Sequence, residues 1–410
     1  MITRIARLMM VAVVIFIVAI YLPKFYWKIF DKKIRTPQVY YSAVHEEFFL
    51  GKHNGKKYVH YDLKGNQYTR EEFEQKLPLL HYRQLVLDND MPEYIQGRKI
   101  ELDELRLNKF IKRVRPHNLD QPQIDLYPLI ESQSGRVQLA MPEEMFRITD
   151  RMEFITAATN QIDEKLTELF TTKLIAQGFK FPAQYIAGNP TTRKPFDEGY
   201  FVVDAANEVF QIKMIQGQPF CRKTGIPTNL EIQAILIGEM NLREFYGMLI
   251  TKTSDVYLIT YDNYKLVKLP LNAYQLDKTN LRWMGDIFYR TFWQMNEGEI
   301  HVIVTDRDYE IVDEYRETWE TREDWISGKL AKVLFPFTIT LLDGSSVYLN
   351  TYFEISSMFA LVGILIALGL YVALALYLKK PLSPIDLVIV AITGLYGLIA
   401  VYIFRAVEID

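Results

Sequence analysis

Phe201-Val202-Val203-Asp204-Ala205-Ala206-Asn207-Glu208-Val209-Phe210-Gln211-Ile212 runs apolar into an aspartate, turns, and runs apolar again. Such a stretch reads as a β-hairpin, because β-branched and aromatic residues suit a pleated strand and an Asp carboxylate can bond the backbone two residues on. The pattern recurs at Tyr257 to Asp262 followed by Leu266 to Leu269, at Val302 to Asp306 followed by Tyr309 to Val312, and at Ile339 to Asp343-Gly344 followed by Val347 to Leu349. An early copy spans Val59 to Gly65. Asp204, Asp262, Asp306 and Asp343 lie 58, 44 and 37 residues apart, in the range of one four-stranded propeller blade per repeat. The expected fold is mainly β, a propeller-like domain of irregular blades with inserted helices, closed so that few edges are exposed. A generic α+β domain is the alternative, since Asp-turn hairpins occur in any antiparallel protein.

Two helical stripes interrupt the strands. Ile162, Leu166, Leu169, Phe170 and Leu174 recur at i, i+4, i+7 and i+8 before Gly178, and Leu102, Leu105, Leu107 and Ile111 mark a shorter helix. Both read as core-facing. Pro116 to Pro142, with Pro122 and Pro128 between, is the linker candidate.

Outward from this region lie three apolar stretches, Ile5 to Leu22, Met358 to Leu378 and Leu387 to Phe404. Each approaches the roughly 20 residues an α-helix needs to cross a hydrocarbon layer, so three transmembrane helices are expected. The first looks like an uncleaved signal anchor, because no small-residue cleavage pair precedes Pro23, and Tyr21, Phe25, Tyr26 and Trp27 with Lys24 and Lys28 suit a headgroup-level belt. The other two form a hairpin across Lys379-Lys380 and Ser383-Pro384-Ile385-Asp386, where Ser caps, Pro takes the first turn and Asp faces the positive dipole end. Gly363 with Ala367 and Gly394 with Gly397 let backbones approach closely, within the hairpin or against another membrane subunit. The division is residues 1–35 for the anchor and its flank, 36–354 for a β-rich extracytoplasmic domain and 355–410 for the hairpin and tail.

Orientation rests on opposing signals. With the domain outside, Arg4, Arg7, Lys379 and Lys380 are cytoplasmic, but Lys24, Lys28, Lys32, Lys33, Arg35 and Arg405 are not. The signal-like first stretch and the lack of Lys and Arg from Leu341 to Met358 favour an outside domain, hence a bacterial inner-membrane protein with a periplasmic centre.

A net charge of -3, without a basic cluster carrying interleaved aromatics, argues against a nucleic-acid partner. Cys221 is the sole cysteine, which excludes an internal disulfide and a Cys-based zinc site. No HExxH, G-x-S-x-G or Walker A motif occurs, and Gly51 to Lys57 has the wrong spacing for a phosphate cradle and reads as a hairpin loop. No catalytic or cofactor site is expected. For metals, His60 and Asp62 fall on one strand face near His53, and Asp306, Asp308 and Glu310 start a loop with Glu317 at the twelfth position of an EF-hand count. Ile311 replaces the Gly such a loop needs, so solvated strand faces and turns are the plainer account of all four candidates. The acidic run from Asp313 to Asp324 around Trp319 reads likewise as ordinary surface.

Tyr61-Asp62-Leu63-Lys64-Gly65-Asn66-Gln67-Tyr68-Thr69-Arg70-Glu71-Glu72-Phe73-Glu74, continuing to Leu77-Pro78 and Tyr82-Arg83-Gln84-Leu85, carries a resemblance. So does Gly188-Asn189-Pro190-Thr191-Thr192-Arg193-Lys194-Pro195-Phe196-Asp197-Glu198-Gly199-Tyr200-Phe201. Together they resemble a bacterial family defined only as a domain of unknown function, whose members look like membrane-anchored proteins of Gram-negative gut-type bacteria near ABC-transporter genes. The resemblance implies no active site. Gly65 and Gly199 read as turn residues, and the Arg193 to Asp197 loop as one that pairs Arg193 or Lys194 with Asp197 or Glu198. The expected function is a non-enzymatic accessory membrane protein that binds or senses a ligand for a transport complex, with an ABC-type permease as partner. A membrane-tethered hydrolase and a structural envelope protein are the alternatives.

Overall fold

The computed structural model describes residues 2–119, 125–272, 274–341 and 351–404. Two compact units divide the chain, Pro37–Glu317 and the pair Met1–Thr36 with Thr318–Asp410. Residues 318–341 and 351–354, assigned from the sequence to the central domain, thus group with the terminal helices.

The chain opens with α1 (Ile2–Phe30), part of the terminal unit. Pro37–Glu317 is a succession of small antiparallel sheets whose strands lie side by side in chain order. The first sheet holds β1 (Gln38–Ser42), β2 (Glu47–His53), β3 (Tyr58–Asp62) and β4 (Gln67–Tyr68). There follow α2 (Arg70–Lys76), α3 (Pro78–Leu87), the hairpin β5 (Tyr94–Ile95) with β6 (Arg98–Lys99), α4 (Leu102–Asn108), β7 (Phe110–Val114) and the single turn α5 (Pro116–Leu119). The second sheet is β8 (Tyr127–Pro128), β9 (Glu144–Ile148), β10 (Met152–Thr156) and β11 (Gln161–Ile162), with α6 (Glu164–Ala176) after it. The third is β12 (Tyr185–Gly188), β13 (Tyr200–Val203), β14 (Val209–Ile215) and β15 (Gln218–Lys223). The fourth is β16 (Ile232–Ile237), β17 (Phe245–Thr251), β18 (Val256–Thr260) and β19 (Leu266–Lys268). In the fifth, β20 (Asn280–Gly285), β21 (Arg290–Met295), β22 (Glu299–Thr305) and β23 (Ile311–Thr318) are joined by β7, which pairs antiparallel with β20.

Successive sheets share cores. Phe146, Phe154 and α6 residues Phe170 and Leu174 of the second sheet region pack with Tyr200, Val202 and Phe210 of the third. Phe201 and Val203, on the other face of the same strand β13, pack with Ile235, Leu249 and Ile259 of the fourth. Ala234, Phe245 and Met248 then meet Val114, Trp283 and Phe292 of the fifth. The first sheet joins this series through the Trp293 indole, which donates to the Val39 carbonyl at 2.7 Å. Strands such as β13 are therefore buried on both faces, which explains their near-continuous apolar character. Stacked four-stranded meanders fit the repeat expectation, but no closed ring of sheets is present among the described residues.

The Asp turn is real and repeats in atomic detail. Asp62, Asp204 and Asp306 each accept through Oδ1 from the backbone N–H groups two and four residues on, at 2.7–3.0 Å. The residue three on is left-handed each time: Gly65 (φ 85°), Asn207 (φ 61°) and Tyr309 (φ 67°). Asp262 instead sits in a turn with Asn263 and Tyr264 both at positive φ. The turns occupy different places, however: Asp204 joins the second and third strands of its sheet, whereas Asp62 and Asp262 join the third and fourth. Their unequal spacing follows from that. The copy at Asp343 lies outside the described residues.

The helix stripes shift at their edges. Phe170 and Leu174 of α6 are buried as expected, while Ile162 belongs to β11 and Ile111 to β7 rather than to helices. The stretch Pro116 to Pro142 is only partly a linker, because Tyr127–Pro128 forms β8 and Leu129 and Ile130 are fully buried behind it.

In the terminal unit, α1 is accompanied by α7 (Ile326–Leu334), the pair β24 (Phe337–Thr340) with β25 (Tyr352–Ile355), α8 (Ala360–Tyr377), α9 (Pro384–Thr393) and α10 (Leu395–Ile403). Two helices, α1 and α8, are long and apolar enough to cross a membrane. The third expected span fails this test because Gly394, at φ 57° and ψ -128°, ends α9 after 10 residues and starts α10. A Cβ there would be strained and would crowd Ile364 and Pro336. Ser383 caps α9 through the Asp386 N–H with Pro384 at the first position, as the sequence indicates. Asp386 does more than face the dipole. Its two oxygens receive Arg7 of α1 at 2.7 and 2.8 Å, and Arg7 also donates to the Phe404 carbonyl, so a charge pair locks three helices in apolar surroundings.

Candidate functional site

The four metal candidates do not converge, and no cluster of three or more His, Cys, Asp or Glu side chains suited to a metal occurs among the described residues. Asp62 is consumed by its turn, with Asn66 and Tyr68 side chains adding donors to Oδ2 at 2.8 Å. Burial alone would raise its pKa, but these bonds to the ionised form prevail and hold it at about 2. His60 lies against the Phe73 ring at 4.1 Å, its Nδ1 buried without a partner, and burial lowers its pKa. Asp306 caps its own turn, Asp308 is exposed, and Glu317 pairs with Lys52 at 2.9 Å and accepts from Tyr315, so no EF-hand forms. His53 Nδ1 accepts from the Gly55 N–H in the β2–β3 hairpin, as expected of that loop.

The small residues of the terminal apolar helices pack internally. A Cβ on Gly363 would lie 1.8 Å from the Val333 carbonyl of α7, Ala367 is buried among Val11, Tyr371 and Val390, and a Cβ on Gly397 would meet Thr393.

The family-like loop before β13 builds a buried charge network. Lys194 Nζ reaches Asp197 at 2.6 Å, Glu239 at 2.8 Å and the Asn189 carbonyl at 2.7 Å, with all three charged side chains at most 3% exposed. Asp197 also accepts from Ser132 and the Gly199 N–H, and Glu239 from Asn189 Nδ2. Next to it, Glu198 takes Lys213, Gln211 and Tyr261. The sequence expectation of a Lys194–Asp197 pair holds; Glu239, 45 residues on, is the partner it missed. Every carboxylate here is satisfied, which fits a structural role.

A different group of residues lines open space. Thr69 and Glu72 form a capping box at the start of α2, and Pro78 at the first position of α3 turns the chain into a helix that kinks at His81 (φ -102°, ψ 17°). Beside the kink, the Leu79 and Leu80 carbonyls accept from Lys109 Nζ at 3.1 and 2.7 Å, Lys109 being the residue that ends α4. Lys109 Nζ stands 4.8 Å from the centre of the Tyr82 ring, and Arg83 Nε donates to the Tyr82 hydroxyl at 3.1 Å. Arg106, one turn back on α4, completes the group. Tyr82, Arg83, Arg106, Lys109, Phe110 and Ile111 surround a groove of about 790 Å³. Tyr82, Arg83 and Lys109 also border a second hollow of about 480 Å³ with Arg70, Glu74 and His81.

Its electrostatics are mainly cationic, with Asp286 the carboxylate whose field reaches Lys109. Arg70 is paired with Glu74 and Arg106 with the exposed Asp103, but neither Arg83 nor Lys109 forms a carboxylate ion pair among the described residues. The Arg83 hydrogen bond, helped by Arg106 and Lys109, holds the Tyr82 phenol below its ordinary value despite burial. Burial likewise lowers Lys109 and His81. Two guanidinium groups, an ammonium and a phenol border one space, and the donors they do not spend on the protein suit carboxylate or phosphate oxygens. Tyr82-Arg83 stands in the family-like stretch, but Arg106 and Lys109 are brought to it only by the packing of α4 on α3. No local motif could have announced them.

Fold and site together define a β-rich domain of stacked meanders with a cationic, tyrosine-floored cleft, on a chain with two helices able to cross a membrane. Residues 38–305 match the family model described as a domain of unknown function, DUF4857, and the chain belongs to that family. No curated protein matches the chain.

Proposed function

We propose that this is a membrane-anchored, non-enzymatic accessory protein whose β-rich domain, arranged as an irregular propeller-like series of blades, binds an anionic ligand in the Tyr82 cleft. The observation that carries the reading is the pair of cations, Arg83 and Lys109, without carboxylate ion partners among the described residues, around one phenol in an open groove. The hydrolase alternative would need convergent free acids. Asp197, Glu198 and Glu239 converge, but they are enclosed and already bonded.

The domain is placed on the periplasmic side of a bacterial inner membrane, supported by the signal-anchor character of α1. A reporter joined after Ile34 is expected to be active only as an exported phosphatase, and activity of a cytoplasm-only reporter at that site would reverse the orientation.

A permease-type membrane partner belongs to the same reading. Since Gly363 is occupied by α7, the small residues that α8 turns outward are Gly369, with nothing near its Cβ position, and Ala373. Gly369→Leu is expected to leave a stably inserted protein that no longer co-purifies with its membrane partner. Unchanged co-purification would remove α8 from the contact.

A further inference from the structure

We infer that α7 lies in the headgroup layer of an anionic bilayer with Ile326, Leu330 and Leu334 at the acyl boundary, an inference that rests on reading α1 and α8 as spans. These three side chains recur at i, i+4 and i+8 on one helix face and are 79%, 52% and 37% exposed. The rest of the helix is held. Gly328 and Ala331 are buried, the Val333 carbonyl abuts Gly363 in the first turn of α8, and the Ser327 carbonyl accepts from the Tyr26 hydroxyl of α1 at 2.7 Å.

Those attachments fix its level. Tyr26 and Trp27 belong to the aromatic end of α1, and Gly363 begins α8, so α7 is clamped to the boundary ends of both candidate spans. Its apolar stripe is not isolated, because Phe353, Ile355, Met358 and Phe359 are also exposed on the approach to α8. Water-facing apolar residues in this number, beside two apolar helices, mark a lipid contact rather than ordinary surface.

Charge selects the lipid. Lys24, Lys28, Lys32, Lys33 and Lys329 are exposed in this unit. Two of the nearby acids are already matched, Asp31 by Arg322 at 2.9 Å and Glu323 by Lys332 at 2.7 Å. Lys32 also stands 5.3 Å over the Trp325 ring, which ties the basic segment after α1 to the start of α7. The other lysines, of which Lys329 has Asp324 nearby, form no ion pair among the described residues, and at headgroup level they favour anionic phospholipid.

The test uses the full chain in a Cys221→Ala background, reconstituted in nanodiscs of phosphatidylcholine with or without phosphatidylglycerol. Spin labels are placed through Ile326→Cys or Leu330→Cys, with Leu370→Cys on the outward face of α8 as lipid reference and Asp308→Cys as water reference. Collision with oxygen and with a water-soluble nickel chelate is then measured at each label. Labels at 326 and 330 are expected to favour oxygen as the Leu370 label does, more strongly with phosphatidylglycerol present. Nickel access like that at Asp308, or shielding from both reagents as under a protein cover, would overturn the inference while the Leu370 label still reported a span. Equal immersion with and without phosphatidylglycerol would overturn its anionic part. A Leu370 label in water would overturn the spanning reading itself.

Discussion

Lys194→Met is expected to destabilise the β-rich unit by about 3–5 kcal/mol, the cost of leaving a buried charge without its partner. Asp197 and Glu239 have side chains 2% and 0% exposed, and both rely on the one ammonium for countercharge at hydrogen-bond distance. Their remaining donors, Ser132, the Gly199 and Glu198 N–H groups and Asn189, are neutral. Deprived of Lys194, the two buried carboxylates would be left with no cation at hydrogen-bond distance, which is the source of the lost stability. Asp197→Asn added to Lys194→Met should restore part of it. Denaturant unfolding followed by tryptophan fluorescence, with Trp283 and Trp293 reporting on this unit, measures the effect. Lys268→Ala, which breaks the exposed pair with Asp255, is the control and should cost under about 1 kcal/mol. A Lys194→Met protein as stable as that control would show that the network contributes little.

The same network shows what was legible beforehand. The loop from Asn189 to Gly199 was readable as a charged turn because its partners Lys194 and Asp197 are three residues apart. Glu239 was not, since it arrives from the loop after the first strand of the next sheet. Asp62, Asp204 and Asp306 gave the hairpins because each turn is closed by atoms within four residues of the aspartate. Blade boundaries were harder: turns of identical chemistry join different strand pairs, so their spacing does not measure the sheet repeat. The third apolar stretch misled for a related reason. Hydropathy averages across Gly394, whereas the backbone turns there, and only the packing against Ile364 and Pro336 shows why. Arg7 and Asp386 likewise read as flanking charges until the helices place them 2.7 Å apart.

The cleft was the least visible feature and gives the second large effect. Arg83→Ala is expected to weaken binding of inorganic phosphate, pyrophosphate or citrate by on the order of 10-fold, through the loss of one charge-assisted hydrogen-bond donor. Arg83 is exposed, so its loss should leave the fold intact, whereas Lys109→Met would also free the Leu79 and Leu80 carbonyls and needs a stability control. Affinity should fall with added salt, less steeply in Arg83→Ala. The pH dependence has a definite sign. Tyr82 ionises below the ordinary tyrosine value because Arg83 favours its phenolate, and a phenolate among the cations competes with any bound anion. Lys109 loses its proton earlier than an exposed lysine because it is buried. Both changes remove affinity as pH rises, so binding should be strongest from neutral pH downward and decline on the alkaline side. Tyr82→Phe should remove the part of that decline due to the phenol, leaving the part due to Lys109. Calorimetric titration of the full chain in detergent checks each statement. Equal affinities in wild type and Arg83→Ala, or binding that strengthens with alkali, would place any ligand elsewhere.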